Sequence, residues 1–250
     1  MSSVFSAQVE EHFGRRASGY VEGALLQRAV AWRLVRHIRA LPLPVGMRAD
    51  LGAGSGAVAQ ALEQQAPQLL NHQAPLQVDL TAALLAQNPL ATYQLLWDLN
   101  GGLPPQLERA ALLTSSFALQ WLDNPAQSLS RWSSALVRGG ILALAVPTAG
   151  SFRQWHQAAE HSGVPCTALP LPEAEPLVAA ASDQLELLRC QRLRFSRPAS
   201  GLPLLKQMRA IGADATRAPG LGAGQLRRLL RHWPAGPTTW EVLLLVGRRP

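Results

Sequence analysis

The sequence predicts an α/β protein in which helices cover both faces of a doubly wound, mostly parallel sheet. Strand-like and helical segments alternate at roughly 20–30-residue spacing through residues 45–147, which is the pattern of repeated strand–helix units. A glycine-rich turn, Gly52–Gly56, joins the first predicted strand to the helix that follows it. The chain of 250 residues is 48% hydrophobic and 16% charged, which is enough apolar material for one large core. These three observations favour a single domain.

The composition excludes several other classes of protein. A chain so apolar and so poor in charge is not disordered. Its longest apolar run has about eight residues, whereas a membrane-spanning helix needs about 20, so we expect no membrane span. The first residues lack a basic start followed by an apolar stretch, which predicts no signal peptide. Cys166 and Cys190 are too few for a disulfide framework or a zinc site, so we expect a cytoplasmic protein without metal.

Apolar residues recur at helical spacing over residues 8–16 and 21–40, which predicts two helices that end before Pro42. The predicted strands that follow are 46–51, 76–79, 93–97, 110–114 and 141–146, and the helices between them are 57–65, 82–87 and 125–137. After Pro147 the sequence predicts a helical segment at 148–182, a strand at 188–195, helices at 202–211 and 224–232, and a final buried strand at 238–246.

The glycine-rich turn reads Asp-Leu-Gly-Ala-Gly-Ser-Gly over Asp50–Gly56. Glycines at such a junction let the backbone turn tightly and approach a ligand closely. The same letters fit a dinucleotide-binding loop, and one such match is weak evidence. Asp50 separates the two readings, because a carboxylate in the loop would repel a pyrophosphate at the helix N-terminus. It suits instead the α-ammonium group of S-adenosylmethionine, bound directly or through water, since that cofactor has no phosphate.

Two further acidic residues follow the next two predicted strands. Asp79 ends the second strand, where a carboxylate can accept both ribose hydroxyls of either cofactor. Asp98 follows the third strand, where an acid can accept the adenine amino group while Leu99 packs on the ring. Each aspartate alone is compatible with an ordinary cap or loop. Three carboxylates after three successive strands, together with the glycine turn, predict a methyltransferase-type cofactor site.

With these residues, segment 45–147 resembles the class I S-adenosylmethionine-dependent methyltransferases. That resemblance implies a Rossmann-like, seven-stranded, mostly parallel sheet with N-terminal helices and a helical lid insertion. Three other segments narrow it to the malonyl-acyl-carrier-protein O-methyltransferase family of biotin synthesis. They are Phe13–Tyr20 with Gln27, Ser115–Trp121 with Asn124, and Leu205–Ala213, which ends in Ile-Gly-Ala.

The resemblance divides one domain, residues 1–250, into four parts. Residues 1–42 are expected to form a helical cap and 45–147 the cofactor-binding core. Residues 148–188 are expected to form a lid over the substrate, and 189–250 a basic part that completes the sheet. The sequence contains no internal repeat and no linker that would justify a second domain.

The resemblance also implies which residues bind. Tyr20 is expected to close over the cofactor and to orient the methyl group or the substrate carboxylate, without acting as a base. The cofactor-binding set is expected to be Tyr20, Gln27, Asp50, Gly52, Ala53, Gly54, Gly56, Asp79, Leu80, Asp98, Leu99, Ser115, Ser116 and Phe117. The substrate-binding set is expected to be Arg15, Arg16, Gln120, Trp121, Lys206 and Arg209, the basic residues being alternatives for the malonyl carboxylate or the pantetheine phosphate. No metal is implied.

The implied reaction methylates the free carboxylate of a malonyl thioester and releases S-adenosyl-L-homocysteine. The sulfonium leaving group is already activated by its charge, and a carboxyl group with a pKa of ~4 is ionised at neutral pH. The reaction therefore needs no general base, which agrees with six histidines that are scattered along the chain. The sequence is compatible with either the carrier-protein or the coenzyme A thioester, and with any oligomeric state.

The basic residues are concentrated near the C-terminus. Residues 1–180 carry 11 arginines against 12 acidic residues, whereas 181–250 carry 12 basic residues against four acidic ones, within a net charge of +7. Such a surface can attract an acidic protein, a phosphate-bearing substrate, RNA or an anionic membrane, although it is equally compatible with a solvated arginine-rich face. Acyl carrier proteins are acidic, so the resemblance implies one as the partner.

Three other functions are compatible with parts of the sequence. The first is methylation of another small molecule, such as a quinone or a different carboxylate. The second is RNA binding, which is disfavoured because the basic segment lacks the interleaved aromatic residues of a known RNA motif. The third is a nicotinamide-dependent oxidoreductase. Methylation of nucleobase amines is also disfavoured, since Thr114–Phe117 lacks the Asn-Pro-Pro-aromatic motif of those enzymes.

Overall fold

The computed structural model describes residues 3–70, 74–90, 93–198 and 200–250. Its helices are α1 (Val4–Gly23), α2 (Leu25–Ile38), α3 (Ala57–Gln65), α4 (Ala82–Leu85), α5 (Pro125–Ser134), α6 (Arg153–Ser162), α7 (Ala174–Ser182), α8 (Gly201–Ala210) and α9 (Ala223–Arg231). Its strands are β1 (Met47–Leu51), β2 (Leu76–Asp79), β3 (Gln94–Leu96), β4 (Ala110–Ser116), β5 (Leu136–Pro147), β6 (Glu186–Arg197) and β7 (Thr238–Arg248). In the described part of the chain, no helix is long and apolar enough to cross a bilayer.

The strands form one sheet in the order β3-β2-β1-β4-β5-β7-β6. Strands β1 to β5 pair in parallel, and β7 inserts antiparallel between β5 and β6. The chain moves outward from β1 to β3 and then crosses back to β4, so β1 and β4 flank a topological switch point. In open parallel sheets, ligands bind outside the carboxyl ends of the strands at such a point.

Strand β5 shows why the central segments are apolar throughout. Ile141, Ala143 and Ala145 point into the core beneath α2, α3, α6 and α9, whereas Leu142 and Leu144 point into the core beneath α5 and α7. Successive side chains of a strand face opposite sides of the sheet, and here both sides are covered by helices. The apolar run that the sequence shows in this strand is the consequence of these two cores.

Helix α1 lies apart from both cores and packs in a third, smaller cluster formed by Phe5, Val9, Phe13, Ala17, Leu84 and Ala215. The Ile-Gly-Ala segment after α8 holds it in place. A Cβ on Gly212 would lie 2.7 Å from the His12 carbonyl oxygen, and a Cβ on Gly23 would lie 2.4 Å from the Ile211 side chain. Glycine at both positions therefore lets α1 approach the chain that follows α8.

The structure confirms the predicted α/β class and its seven-stranded, mostly parallel sheet. Several boundaries were predicted wrongly. Helix α1 runs unbroken over Val4–Gly23 instead of ending at residue 16, and the segment predicted as helical over residues 148–182 is interrupted between α6 and α7. Helix α5 ends at Ser134 instead of residue 137, and β5 begins at Leu136 instead of residue 141. The strand passes through Gly139, which has a φ of +79°, and shifts its register against β4 there, so the glycines interrupt the pairing without ending the strand.

Segment 148–188 contains α6 and α7, which lie on opposite faces of the sheet. Trp155 and Ala158 of α6 are buried in one core, and Leu177 and Ala181 of α7 in the other. Thr167, Leu169 and Leu171, from the connection between these helices, line a cavity at the carboxyl edge of the sheet. The function of this segment as a lid stays a prediction.

The close contact at Gly212 generates a prediction about stability. Gly212 has a φ of +71° and little space for a Cβ, so we expect Gly212→Ala to lower the free energy of unfolding by about 1–3 kcal/mol. Urea unfolding followed by tryptophan fluorescence measures it. Gly220→Ala is the matched control, because no atom lies within 4 Å of a Cβ built there. Equal stability of the two variants would show that α1 does not depend on this contact.

Candidate functional site

The glycine turn after β1 forms the floor of the site. Gly52, Gly54 and Gly56 all have positive φ, between +53° and +81°. A Cβ on Gly52 would lie 2.1 Å from the Ala118 Cβ, and one on Gly56 would lie 2.1 Å from the Asn88 side-chain oxygen. A Cβ on Gly54 would meet nothing within 4 Å. Gly52 and Gly56 therefore allow tight packing of the turn, whereas Gly54 leaves space above its backbone.

Asp79, at the end of β2, connects the glycine turn to the loop that follows β2 through hydrogen bonds. One carboxylate oxygen accepts a hydrogen bond from the Gly54 backbone N–H at 2.8 Å, and the other accepts one from the Thr81 N–H at 2.7 Å. Burial raises the pKa of Asp79, and the two N–H donors oppose that shift because they stabilise the charged form. Each oxygen retains a free lone pair with which it can accept a further hydroxyl donor.

Asp50 ends up beside Asp79 because β1 and β2 are paired neighbours. The Thr114 hydroxyl of β4 donates to its carboxylate at 2.8 Å. Burial raises the pKa of Asp50 to about 7, the Thr114 hydrogen bond opposes the shift, and the negative charge of Asp79 adds to it. Asp50 and Asp79 are therefore two buried carboxyl groups that favour a cationic ligand.

Asp98, which follows β3, has one oxygen engaged and one without a partner. The Asn100 backbone N–H donates to Oδ1 at 2.9 Å, whereas Oδ2 is buried with no hydrogen-bond partner among the described residues. The next residue, Leu99, is buried beside it. A buried acceptor without a partner costs free energy unless a ligand donor meets it.

These groups surround a first cavity, an open space of about 940 Å³ that includes the solvent at its mouth. Helices α1 and α2 form its other side. The cavity brings together most of the predicted cofactor-binding residues: Tyr20, Gln27, Asp50, Gly52, Ala53, Gly54, Asp79, Leu80, Asp98, Leu99, Ser116 and Phe117. Gly56 and Ser115 do not line it. Gly56 is the N-cap residue that precedes α3, and the Ser115 hydroxyl donates to the Leu51 carbonyl oxygen at 2.8 Å, so both support the turn from behind.

A second cavity of about 810 Å³ adjoins the first. The two share part of their lining: Phe13, Tyr20, Gln27, Phe117 and Trp121. The rest of the second cavity is mostly apolar, with Phe152, Trp155 and Trp240 on one side and Met208 and Ile211 on the other. Its lining, within the described residues, contains no arginine and no lysine. The predicted residues Gln120 and Trp121 both contact this cavity.

Phe117 stands between the cavities in a strained conformation. Its φ of +57° is unusual for a residue with a side chain, and such strain is common in binding sites. Two hydrogen bonds hold it: its N–H donates to the Ala145 carbonyl oxygen at 2.8 Å, and its own carbonyl accepts from the Gln120 side chain at 2.7 Å. Tyr20 packs close by, edge-on to Phe13 at 5.9 Å between ring centroids.

Polar contacts that the sequence analysis missed hold α1 over both cavities. Asn100 donates to the Ser6 hydroxyl at 2.9 Å, and the His12 ring nitrogen lies 2.7 Å from an Asp214 carboxylate oxygen. Arg217 stacks over the Phe5 ring at 3.8 Å and pairs with Asp123 at 2.8 Å. No sequence signal identifies these pairs, since up to 202 residues separate their members. Trp97 also lines the first cavity, although it is not in the predicted cofactor-binding set. Its indole N–H donates to the Gly102 carbonyl at 2.9 Å.

The four basic residues predicted to bind substrate lie outside both cavities. Arg15 pairs with Glu11 one helical turn away, and Arg16, Lys206 and Arg209 are exposed to solvent. Their contact with substrate stays a prediction. Lys206 and Arg209 are close in sequence to Gln207 and Met208 of the second cavity, which puts them on the helix that forms its rim.

The first cavity fits S-adenosylmethionine. The buried, unpartnered Asp98 oxygen matches the adenine amino donor, the free lone pairs of Asp79 match the ribose hydroxyls, and the space above Gly54 allows the methionine chain to approach. Two carboxyl groups with raised pKa values match the cofactor's positive charges. No group of three or more potential metal ligands occurs in the described residues.

Sequence comparison finds relatives over nearly the whole chain, although no family model matches it. The chain is 32% identical to the malonyl-[acyl-carrier protein] O-methyltransferase of Alcanivorax borkumensis, over 97% of this chain and 86% of that protein. It is 30% identical to the biotin biosynthesis bifunctional protein BioCD of Bordetella avium, over 90% of this chain and 48% of that longer protein.

Structural comparison finds the same fold among methyltransferases. A putative methyltransferase from Bacillus halodurans superimposes with a TM-score of 0.61 at 15% identity, over 89% of this chain and 99% of the other. The geranyl diphosphate C-methyltransferase of Streptomyces coelicolor, solved with S-adenosyl-L-homocysteine, superimposes with a TM-score of 0.60 at 13% identity. The match covers 100% of this chain and 99% of the other. At such identities the likeness concerns the fold, and the sequence relatives decide the family. The chain belongs to the malonyl-[acyl-carrier protein] O-methyltransferase family.

Proposed function

We propose that this protein transfers the methyl group of S-adenosylmethionine to the free carboxylate of malonyl-acyl-carrier protein, as an early step toward the pimeloyl chain of biotin. The observation that carries the proposal is the pair of adjoining cavities that share Tyr20, Gln27 and Phe117. One cavity has the carboxylates and the glycine turn that suit the cofactor, and the other has an apolar lining that suits an acyl chain. The shared wall is where a methyl group and a carboxylate would meet.

The reaction is an in-line displacement. When bound, the cofactor supplies a methyl group on a positively charged sulfur. A carboxylate oxygen forms the new bond to the methyl carbon, the carbon–sulfur bond breaks, and its electron pair stays on sulfur. No proton moves, so the protein contributes orientation and the exclusion of water, which can lower the barrier by ~7–11 kcal/mol. Helix α1, with its ring contacts between Phe13, Tyr20 and Trp121, covers one side of the site.

The absence of arginine and lysine from the described lining of the second cavity suits this chemistry. A guanidinium beside the carboxylate would withdraw its charge and compete with the sulfonium. Burial and the Asp79 charge raise the pKa of Tyr20, so its phenol stays protonated and can donate a hydrogen bond. We infer that Tyr20 and the Gln27 amide orient the reacting carboxylate as neutral donors, while the positive sulfur balances its charge.

Methylation also explains why the product is useful. A methyl ester hides the malonyl charge, so enzymes with apolar tunnels can extend the chain without burying a free carboxylate, which is costly. The thiols of Cys166 and Cys190 are both unpaired, which agrees with our proposal that the enzyme works in the reducing cytoplasm.

We infer that an acidic carrier protein docks beside α8. Strand β6 runs parallel to β5, so it ends at the same edge of the sheet as the cavities. Arg197, at that end, donates to the Gln207 side chain at 3.3 Å, and Lys206 and Arg209 are exposed on the same helix. This basic rim would steer an acidic partner and place its pantetheine arm over the second cavity.

The central test is a methyl-transfer assay on the full chain with S-adenosylmethionine and malonyl-acyl-carrier protein, read by mass. We expect a gain of one methyl group on malonyl and none on acetyl-acyl-carrier protein, because acetyl offers no carboxylate. If malonyl is not methylated although S-adenosylmethionine binds, the substrate is another small molecule such as a quinone. Binding of NAD or RNA in place of S-adenosylmethionine would contradict the whole proposal.

The raised pKa of Asp50 predicts how cofactor affinity depends on pH. The ammonium group of the cofactor pairs with the carboxylate form, which is lost as pH falls through about 7. We therefore expect affinity to fall about tenfold per unit below pH 7, where the cofactor's own amino group stays charged. Calorimetry measures it. Asp50→Asn, which keeps an acceptor for Thr114, should bind more weakly at neutral pH and lose the part of the dependence that is centred near pH 7. An unchanged profile in this variant would exclude Asp50 as the titrating group.

The basic rim predicts a difference between large and small substrates. We expect Lys206→Glu with Arg209→Glu to raise the KM for malonyl-acyl-carrier protein about tenfold at low salt, since rim charges act on encounter. The KM for malonyl-N-acetylcysteamine, which has no phosphate and no protein, should stay the same. Arg36→Glu with Arg39→Glu, at the far end of α2, changes the net charge equally and is the control. If both pairs of substitutions raise the KM for malonyl-acyl-carrier protein equally, only the overall charge of the protein matters.

A further inference from the structure

The first cavity contains one cation that none of the predicted roles uses. Arg28, in the first turns of α2, lines it together with three aspartates, Asp50, Asp79 and Asp98. It is the one basic residue in that lining, as far as the structure describes it. Its side chain is exposed, and it forms none of the ion pairs found among the described residues. A free guanidinium at the opening of a small-molecule cavity is suited to bind an anion.

The order of the strands says which end of the cofactor lies near Arg28. Asp98, Asp79 and Asp50 follow β3, β2 and β1, which are neighbours in that order. Adenine at Asp98 and ribose at Asp79 therefore direct the methionine chain toward β1 and the glycine turn. Helix α2 packs against α3, which begins where that turn ends, and the start of α2 contributes Gln27 and Arg28 to the cavity. Arg28 thus lies at the methionine end.

The charges of the methionine chain indicate which of its groups Arg28 would bind. The methionine chain ends in an ammonium and a carboxylate on one carbon, and the sulfonium lies two carbons further along the chain. Asp50 can pair with the ammonium, whereas the negative charges of the three aspartates in this cavity repel the carboxylate. We propose that the Arg28 guanidinium binds the α-carboxylate of S-adenosylmethionine. This deepens the proposed function, since it rests on S-adenosylmethionine being the cofactor.

The proposal makes Arg28 a determinant of cofactor choice. Decarboxylated S-adenosylmethionine keeps the sulfonium, the adenosine and the ammonium, and lacks only the group that Arg28 would hold. The wild-type protein should therefore bind the complete cofactor more tightly than the decarboxylated form. An arginine–carboxylate contact that is partly open to water should account for about a tenfold difference in affinity.

The test is calorimetric titration of the full chain with both ligands, which needs no methyl-acceptor substrate. We expect Arg28→Met to weaken S-adenosylmethionine about tenfold and to leave decarboxylated S-adenosylmethionine unchanged, so the preference disappears. Arg28→Lys should restore part of the preference, because it keeps the charge without the planar fork. Arg33→Met removes an exposed arginine from the same helix outside both cavities and should behave as wild type.

Each other result would overturn the proposal. If Arg28→Met lowers the affinity for both ligands equally, the arginine supports the shape of the cavity. If it lowers the affinity for neither ligand, the arginine contacts only solvent. A wild-type protein that binds both ligands equally would exclude any carboxylate partner. These binding measurements do not depend on malonyl methylation. If the methyl-transfer assay alone fails, they still show whether Arg28 binds the carboxylate of the cofactor.

Discussion

The carboxylate of Asp79 is the contact on which the cofactor site depends. It accepts one hydrogen bond from a backbone N–H of the glycine turn after β1 and another from the N–H of Thr81, which precedes α4, so it joins two loops that the sheet only brings near each other. A buried carboxylate without such donors would be costly. The same oxygens keep lone pairs for a ligand, so the group that holds the turn also recognises what lies above it.

The two cavities differ in charge, and the difference follows from the strands that end beneath them. The first collects Asp50, Asp79 and Asp98 at the ends of β1 to β3, which costs free energy while the site is free of ligand and is relieved by a ligand with positive groups. The second lies on the β4 and β5 side and is lined by aromatic and aliphatic residues. Phe117, in its strained conformation, separates the two environments.

Helix α1 joins these halves, because it covers both cavities. It contacts the rest of the chain through a small apolar cluster and through polar pairs to Asn100 and Asp214. Gly212 and Gly23 let it lie close to the segment after α8. That contact gives a structural reason for the Ile-Gly-Ala segment, which in the sequence is only part of a resemblance.

Local patterns in the sequence determined the α/β class, the order of the elements, the turn at Gly52–Gly56 and the three aspartates, because strand–helix alternation and strand-end acids are visible over short stretches. They also placed α3 at residues 57–65 and β2 at 76–79, both of which the structure confirms. They misplaced the start of β5, because the pair Gly139-Gly140 is typical of a boundary between a helix and a strand. In the structure these glycines form an irregularity inside the strand.

Only the tertiary structure decided which side chains share a cavity. It placed Arg28 beside residues that are distant in sequence, put Ser115 behind the turn, and left Lys206 and Arg209 exposed to solvent outside the second cavity. It also paired His12 with Asp214 across most of the chain. Composition and spacing indicate whether a segment forms a helix, a strand or a turn. The contacts of a site depend on how the ends of separate strands and helices converge, and the packing of the whole sheet sets that arrangement.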